Sequence, residues 1–194
     1  MKNLSLQLFG IVWLITSCGQ GPGADVEGDQ KLATAFLAAS ACPFEDLAPG
    51  TASVVIDGVA TERAAFWGLS DQLLSVSLEN HSVVGECYAS GSDGTGIMID
   101  VANPRPHTWG VAPGASFPDV PEVVVHSVQA VPEIWFEKMV AGQVTLSSYD
   151  SETGQLCGRV AGELLDGRAF EARFVAENHC FRPESQVAER LQGN

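Results

Sequence analysis

Two alternating segments near the carboxy terminus constrain the fold more than anything else in the chain. Leu156, Gly158, Val160, Gly162 and Leu164 fall on one face of an extended segment, and Phe170, Ala172, Phe174 and Ala176 on one face of the next. A period of two is the signature of half-buried strands. Directly opposed residues share a face, so joining the two apolar faces in one hairpin requires a loop with an odd number of residues. The loop Leu165-Asp166-Gly167 meets that condition, with Gly167 in the left-handed bulge position. Gly162 is then expected opposite Phe170, Val160 opposite Ala172 and Gly158 opposite Phe174, each ring covering a glycine, so Gly162→Val is expected to crowd Phe170. The other face carries Arg159, Glu163, Glu171 and Arg173 and is expected to be wet. Cys157 shares that face, so its partner has to come from a covering segment.

The same grammar runs through the rest of the chain. Short runs rich in Val, Ile, Thr and Phe, punctuated by Gly, Asp and Asn, predict strands over 52–57, 60–67, 72–79, 96–102, 122–130, 133–138, 142–149, 155–164 and 168–176. Asp57-Gly58 suits the positive φ angles of a tight hairpin. In YDSETGQ, Gly154 can close a longer loop. The expected class is all-β, an antiparallel β-sandwich or β-barrel. A short amino-terminal helix is expected over 30–40, capped by Asp29, with Leu32, Ala35, Phe36 and Ala39 at helical spacing. A carboxy-terminal helix is expected after Pro183, with Val187 and Leu191 as its apolar stripe. No repeat and no nucleotide-binding βαβ pattern occurs.

The closing pattern GQVTLSSYD, then GQLCGRV, then FEARF resembles the last strands of uncharacterised bacterial secreted lipoproteins with an all-β domain. VVIDG, AAFWG and LLSVSLE resemble the opening strands of the same group, so the likeness spans about residues 50–180. It implies a fold and an address, and brings no activity or catalytic residues with it.

The amino terminus carries the same address. Lys2, an apolar stretch from Leu6 to Ile15 and small residues ahead of a cysteine read as an export signal. The stretch is shorter than the roughly 20 residues that cross a bilayer as a helix. Ile15-Thr16-Ser17-Cys18 resembles the lipobox of bacterial lipoproteins, in which the cysteine is acylated, here with palmitate among the expected chains, and becomes the first mature residue. Residues 1–17 are then a signal peptide, 18–30 a lipidated flexible tether rich in Gly and acid, and 31–194 a single domain. Gly19, a residue other than Asp after the lipidated cysteine, implies by the same resemblance the outer membrane of a Gram-negative cell. Losing Lys2 with the leader leaves 9 basic residues against 24 acidic, a formal charge of −15.

Export favours disulfides, and Cys42, Cys87, Cys157 and Cys180 allow three pairings. Cys157 with Cys180 and Cys42 with Cys87 are expected, because Cys157 opens one strand of the last hairpin and Cys180 follows its partner. The main competitor folds the amino-terminal segment over the wet face and joins Cys42 to Cys157 or Cys180. No CxxC or HxxxH spacing supports zinc, and no metal or cofactor is expected.

Composition and motifs narrow the function. With 10 basic residues against 24 acidic and no basic cluster, nucleic acid is not an expected partner. His81, His107, His126 and His179 are scattered, His126 reading as an ordinary strand side chain in VVVHSV. Ser90, Ser92, Asp93 and His107 form no recognisable hydrolase motif, and no catalytic residue is assigned. ASGSDGTG over 89–96 lacks the carboxylates of a calcium loop and the following helix of a phosphate loop. Residues 103–121 hold five prolines and predict a long irregular loop, where Arg105, His107, Trp109 and Phe117 form the candidate ligand-binding set. Their structural alternative is two rings capping an open end of the β domain. Trp67 and Trp135 read as core or sheet-face residues.

The reading is an exported, lipid-anchored cell-envelope protein, a non-catalytic binding or structural module. Its expected partners are the membrane, through the anchor, and an envelope glycan, a protein or a small molecule. A small-ligand or carbohydrate-binding lipoprotein using the 103–121 loop is the alternative, and a secreted hydrolase comes third. Clustering of a serine, a histidine and a carboxylate would favour the hydrolase. Cys18→Ser is expected to abolish acylation and processing at this site. Equal incorporation of labelled fatty acid into Cys18→Ser and the unaltered protein would reject lipidation at Cys18.

Overall fold

Alternation of apolar and polar residues becomes nine strands in a computed structural model that describes residues 24–36, 41–70, 72–79, 94–128 and 134–178. A helix, α1 (Ala24–Ala35), precedes β1 (Thr51–Ile56), β2 (Val59–Ser70), β3 (Leu73–Glu79), β4 (Gly94–Ala102) and β5 (His107–Val111). β6 (Glu122–Val128), β7 (Ile134–Asp150), β8 (Gln155–Leu164) and β9 (Ala169–Asn178) follow. The lateral order β7-β6-β4-β3-β2-β1-β9-β8 returns to β7, closing an eight-stranded barrel, and β5 is an additional strand on β7. Neighbours are antiparallel except for a short parallel pairing of Phe66 and Trp67 in β2 with Glu177 and Asn178 in β9. Of the two all-β architectures expected, the chain adopts the barrel.

The last hairpin has the expected register. Gly162 faces Phe170, Val160 faces Ala172 and Gly158 faces Phe174. The Gly167 amide donates to the Leu164 carbonyl, 2.9 Å, and Gly167 sits at φ 87°, the left-handed position that closes a three-residue loop. Asp57 and Gly58, at φ 51° and 78°, make the tight turn between β1 and β2. One contact differs from expectation. A Cβ on Gly162 would meet the Ala141 carbonyl and the Met139 side chain of β7 before any atom of Phe170. The Gly158 position does lie against a ring, that of Phe174.

The segments 133–138 and 142–149, expected as two strands, are one. β7 runs 17 residues, about 56 Å at 3.3 Å per residue, longer than a small barrel wall and therefore strongly coiled. Register shifts between Met139 and Ala141 and between Leu146 and Ser148 supply the bends. On one edge β7 pairs first with β6 (Ile134–Lys138) and then with β5 (Gly142–Leu146), while the other edge pairs with β8.

Eight strands enclose a space that side chains can fill. Val54, Trp67, Leu74, Val76, Leu78, Ile97, Ile99, Val144, Leu146, Leu156, Val160, Leu164 and Phe174 are almost wholly buried. Trp67, expected in the core, donates from Nε1 to the carbonyl of Gly154, 2.8 Å, in the β7–β8 loop. The wall of the last hairpin carries Arg159, Glu163 and Glu171 exposed, as expected, with Arg173 half-buried.

One end of the barrel is plugged. Leu32 of α1 and Phe36 just after it are buried, and Phe36, Tyr149 and Trp67 stack edge to face, with centroids 6.3 and 5.6 Å apart in turn. This is the helix end; the opposite end, with the β1–β2 and β8–β9 turns, is the turn end. α1 starts at Ala24, not near residue 30, so it begins inside the segment expected to be tether, and Asp29 lies within it and is not its cap. Residues 41–50 cross the outer wall, where Arg173 pairs with Asp46, 3.1 Å, and lies over the ring of Phe44.

That crossing decides the disulfide. Cys42 is joined to Cys157, which overturns both expected pairs and gives Cys157 the covering partner its face demanded. Strand ends meeting at the last hairpin suggested Cys180, but the chain passing over Cys157 is the amino-terminal one. Cys18, Cys87, Cys180 and the carboxy-terminal helix lie outside the described residues, as do His81, His179 and residues 89–93 of the Gly-rich loop.

The bridge spans 115 residues of sequence, for which loop-closure entropy gives about 3–5 kcal/mol. Joint replacement of Cys42 and Cys157 by Ala should lower denaturant stability by that amount. Unchanged stability, with non-reducing peptide maps joining Cys157 to Cys180, would refute this crossing.

Candidate functional site

Residues 103–121 were expected to be irregular, and five of them are not. His107–Val111 form β5, with Trp109 opposite Val144 and His107 opposite Leu146. Proline excludes a residue from donating to a ladder, and the flanking prolines at 104, 106 and 113 confine β5 to the proline-free stretch between them. Thr108 and Thr145 share a hydrogen bond across the outer side, 3.0 Å. Trp109 and Val111 pack against the core, so β5 seals the wall where β7 has left β6.

Three of the four candidate residues come together. Arg105 lies over the Trp109 ring, 5.7 Å from its centroid, and His107 meets the same ring edge to face at 4.9 Å. Phe117, 37% exposed, has no ring contact with Trp109 among the described residues. Arg105 also borders an open depression of about 570 Å³ at the helix end, together with Lys31 and Leu32 of α1, Leu69 of β2, Gln72 just before β3, and Asn103 and Pro104. Asn103 takes φ 51°, a conformation Asn tolerates, and its amide donates to the Gln72 carbonyl, 2.8 Å, tying the two turns together. Lys31, Leu69, Gln72, Asn103 and Pro104 were not among the expected site residues. The dipeptide Asn103-Pro104, a turn signal directly after a strand, was the available pointer to them.

A second polar group lies on the outer wall. Glu79, Gly96 and His126 stand side by side on β3, β4 and β6. Any Cβ on Gly96 would strike both the Glu79 carboxylate and the His126 ring, so glycine is what lets them approach. Ser77 donates its hydroxyl to Glu79, while His126 Nε2 stays 3.9 Å from the same carboxylate oxygen. Serine, histidine and carboxylate are thus clustered, yet the hydroxyl is spent on the acid and not on the imidazole. A serine nucleophile needs its hydroxyl on the base. His126, expected to be an ordinary strand side chain, is half-buried beside Phe136, ring centroids 6.4 Å apart. Burial pushes the Arg63 guanidinium below its usual range, opposed by the charge of Glu79. No group of three His, Cys, Asp or Glu able to hold a metal occurs among the described residues, nor any helix long and apolar enough to cross a membrane.

Two rows further along the same outer face, beyond Ser77, Met98 and Val124, lies an acidic pair. Asp100 faces Glu122 across β4 and β6 and accepts a hydrogen bond from Ser75, 2.6 Å. Burial raises the Asp100 carboxyl above its ordinary 3.8, Glu122 adding to the rise and Ser75 opposing it. The folded state therefore holds this proton more tightly than the unfolded chain. Its contribution falls as pH climbs from 3.8 through the raised value and stays unfavourable above. Asp150 runs the other way, lowered mainly by the Thr153 hydroxyl, with stability lost as pH falls.

Asp100→Asn keeps an acceptor for Ser75, and at pH 7 it should stabilise by about 0.5–1 kcal/mol, a value already reduced for solvent screening. The gain should vanish in acid, read as variant minus unaltered protein so that Asp150 cancels. A pH-independent difference would contradict this electrostatic origin. Comparison with protein-family models, with curated proteins and with solved structures finds no match for the chain.

Proposed function

We propose that this protein is an exported, lipid-anchored, non-catalytic binding module of the cell envelope, and that it meets a small ligand at the helix end of the barrel. The observation that carries the site is the depression bordered by α1, the β2–β3 turn and residues 103–105, with Arg105 fixed between it and Trp109. Concave sites with an apolar lining and a few converging polar groups are the usual form of ligand sites. The export signal and Cys18 support the address. A sugar stacked on Trp109 is the less favoured version, because the ring packs against the core and Arg105 already lies over it. Trp109→Ala would accordingly disturb folding as well as binding, so it does not separate the two.

The site is tested by amide chemical-shift mapping with a small-fragment library on the chain from residue 19 onward. Shifts concentrated at residues 31–32, 69–72 and 103–109 are expected. Fragments that instead collect along the Glu79–His126 wall, or turnover of nitrophenyl esters that Glu79→Gln removes, would overturn the reading in favour of the hydrolase.

A further inference from the structure

We infer that β5 is a docking edge, which takes one extended segment of an acidic partner polypeptide as a further strand; the inference goes beyond the small-ligand site proposed above. Closure pairs each of the eight barrel strands on both sides, whereas β5 has β7 alone beside it. The ladder with Gly142–Leu146 uses one edge of β5. No other backbone hydrogen bond reaches His107–Val111 among the described residues, and the side-chain bond of Thr108 is also made to β7. The edge is accessible: His107, Thr108 and Gly110 are exposed, and a Cβ on Gly110 would meet nothing within 4 Å. A row of unpaired backbone groups of this kind is the template on which extended peptides add as strands.

Sequence and charge select the occupant. Natural edges are blunted by charged side chains, by proline or by cover. None of the five residues of β5 is Lys, Arg, Asp, Glu or Pro, and the prolines at 104, 106 and 113 bound the strand without interrupting it. Because proline lacks an amide donor, they limit an added strand to about five paired residues. Arg105, two residues ahead of the strand, lies over the Trp109 ring and has no carboxylate within ion-pair reach among the described residues. By contrast Arg159, Arg168 and Arg173 each meet an acid of this chain, at 3.5, 2.6 and 3.1 Å. The planar fork of a guanidinium matches the two oxygens of a carboxylate, so an Asp or Glu at the end of the added strand completes the contact. Main-chain bonds then supply affinity and the ion pair fixes register. A second copy fits less well, since residues 103–113 hold no acid to meet Arg105 and each copy carries a formal charge of −14.

The probes are capped peptides of alternating Thr and Val: one with Glu at both ends, one with Lys at both ends, and two Glu peptides N-methylated on alternate residues in opposite phase. Binding to the chain from residue 19 onward is measured by calorimetry and amide shift mapping. The Glu peptide should shift the amides of residues 107–111 and bind about tenfold more tightly than the Lys peptide. One methylated peptide should lose binding, because its methyl groups replace the amides that donate to β5, and the other should keep it. Arg105→Gln should erase the preference for Glu over Lys, and Arg105→Glu should reverse it, with thermal melting confirming that both variants are folded. Binding of both methylated peptides as tightly as the parent would overturn strand addition. Glu-peptide shifts confined to residues 31–32 and 69–72 would overturn the edge while leaving the depression standing. Shifts at 107–111 that appear without peptide as protein concentration rises, together with a dimer in sedimentation, would overturn the acidic partner and give the edge to a second copy.

Discussion

The seam between β7 and β8 is the constraint on which the remaining structure depends. Paired from Met139 and Leu164 to Asp150 and Gln155, it turns an open sheet into a closed wall. Without it two strands would present free backbone groups at the sheet edges, and the buried inner face would be open to water. The seam tolerates little bulk. Gly142 faces Gly162 across it, and a Cβ on either would run into the opposite backbone, the Ala161 carbonyl in one direction and the Ala141 carbonyl in the other. Gly142 also sits at φ 145°, a conformation that side chains rarely adopt. The two register shifts bracket this stretch, so a 17-residue strand bends where it passes from β6 to β5.

Closure leaves two unlike ends. At the turn end the chain reverses through Asp57-Gly58 and Leu165-Gly167, tight connections with Val59 and Leu165 exposed. At the helix end the wall is left incomplete where β7 has parted from β6, and three separate pieces complete it: β5, the α1 plug and the aromatic group of Phe36, Tyr149 and Trp67. The Cys42–Cys157 bridge fastens the segment that follows α1 to the wall. An end assembled from α1, two turns and a short strand has seams between its parts, and the depression is one of them.

The fold was legible wherever local pattern and tertiary structure agree. Alternation at Leu156–Leu164 and Phe170–Ala176 dictates both the faces and the loop parity, so the register of the last hairpin follows from the sequence alone. Barrel closure was not legible, because it is a long-range pairing whose two sides, at Gly142 and Gly162, carry no side chains to advertise it. Nor was β5: in a segment with five prolines, His107–Val111 forms a strand because β7 offers it a free edge, a tertiary gain that local propensity does not contain. The first choice for Cys42, Cys87, failed for the same reason and the competitor with Cys157 holds, since the path of residues 41–50 over the wall brings Asp46 and Phe44 to Arg173 from far away in sequence. Of the candidate site, Arg105, His107 and Trp109 were found by their residue types. The α1 and β2–β3 contributors were not, because Leu32 shows only the apolar spacing of a helix and nothing local marks Leu69 or Gln72 until the helix is placed.

The filled interior sets where binding chemistry can occur. A barrel of eight strands occupied by Trp67, Phe174 and branched aliphatic side chains holds its stability inside, leaving the outer wall and the rims to contact other molecules. On the wall, Glu79 is engaged by Ser77 and faces His126, an arrangement that uses its acceptor capacity internally. On the rim, Trp109 has a double part: it packs against the core of the barrel, and the Arg105 guanidinium lies over its ring. The structural alternative for Trp109, a ring that caps the open end, is therefore correct and does not compete with a binding role. The ring that closes the wall is also the surface against which Arg105 lies, so packing and the proposed recognition at this end rest on the same side chain.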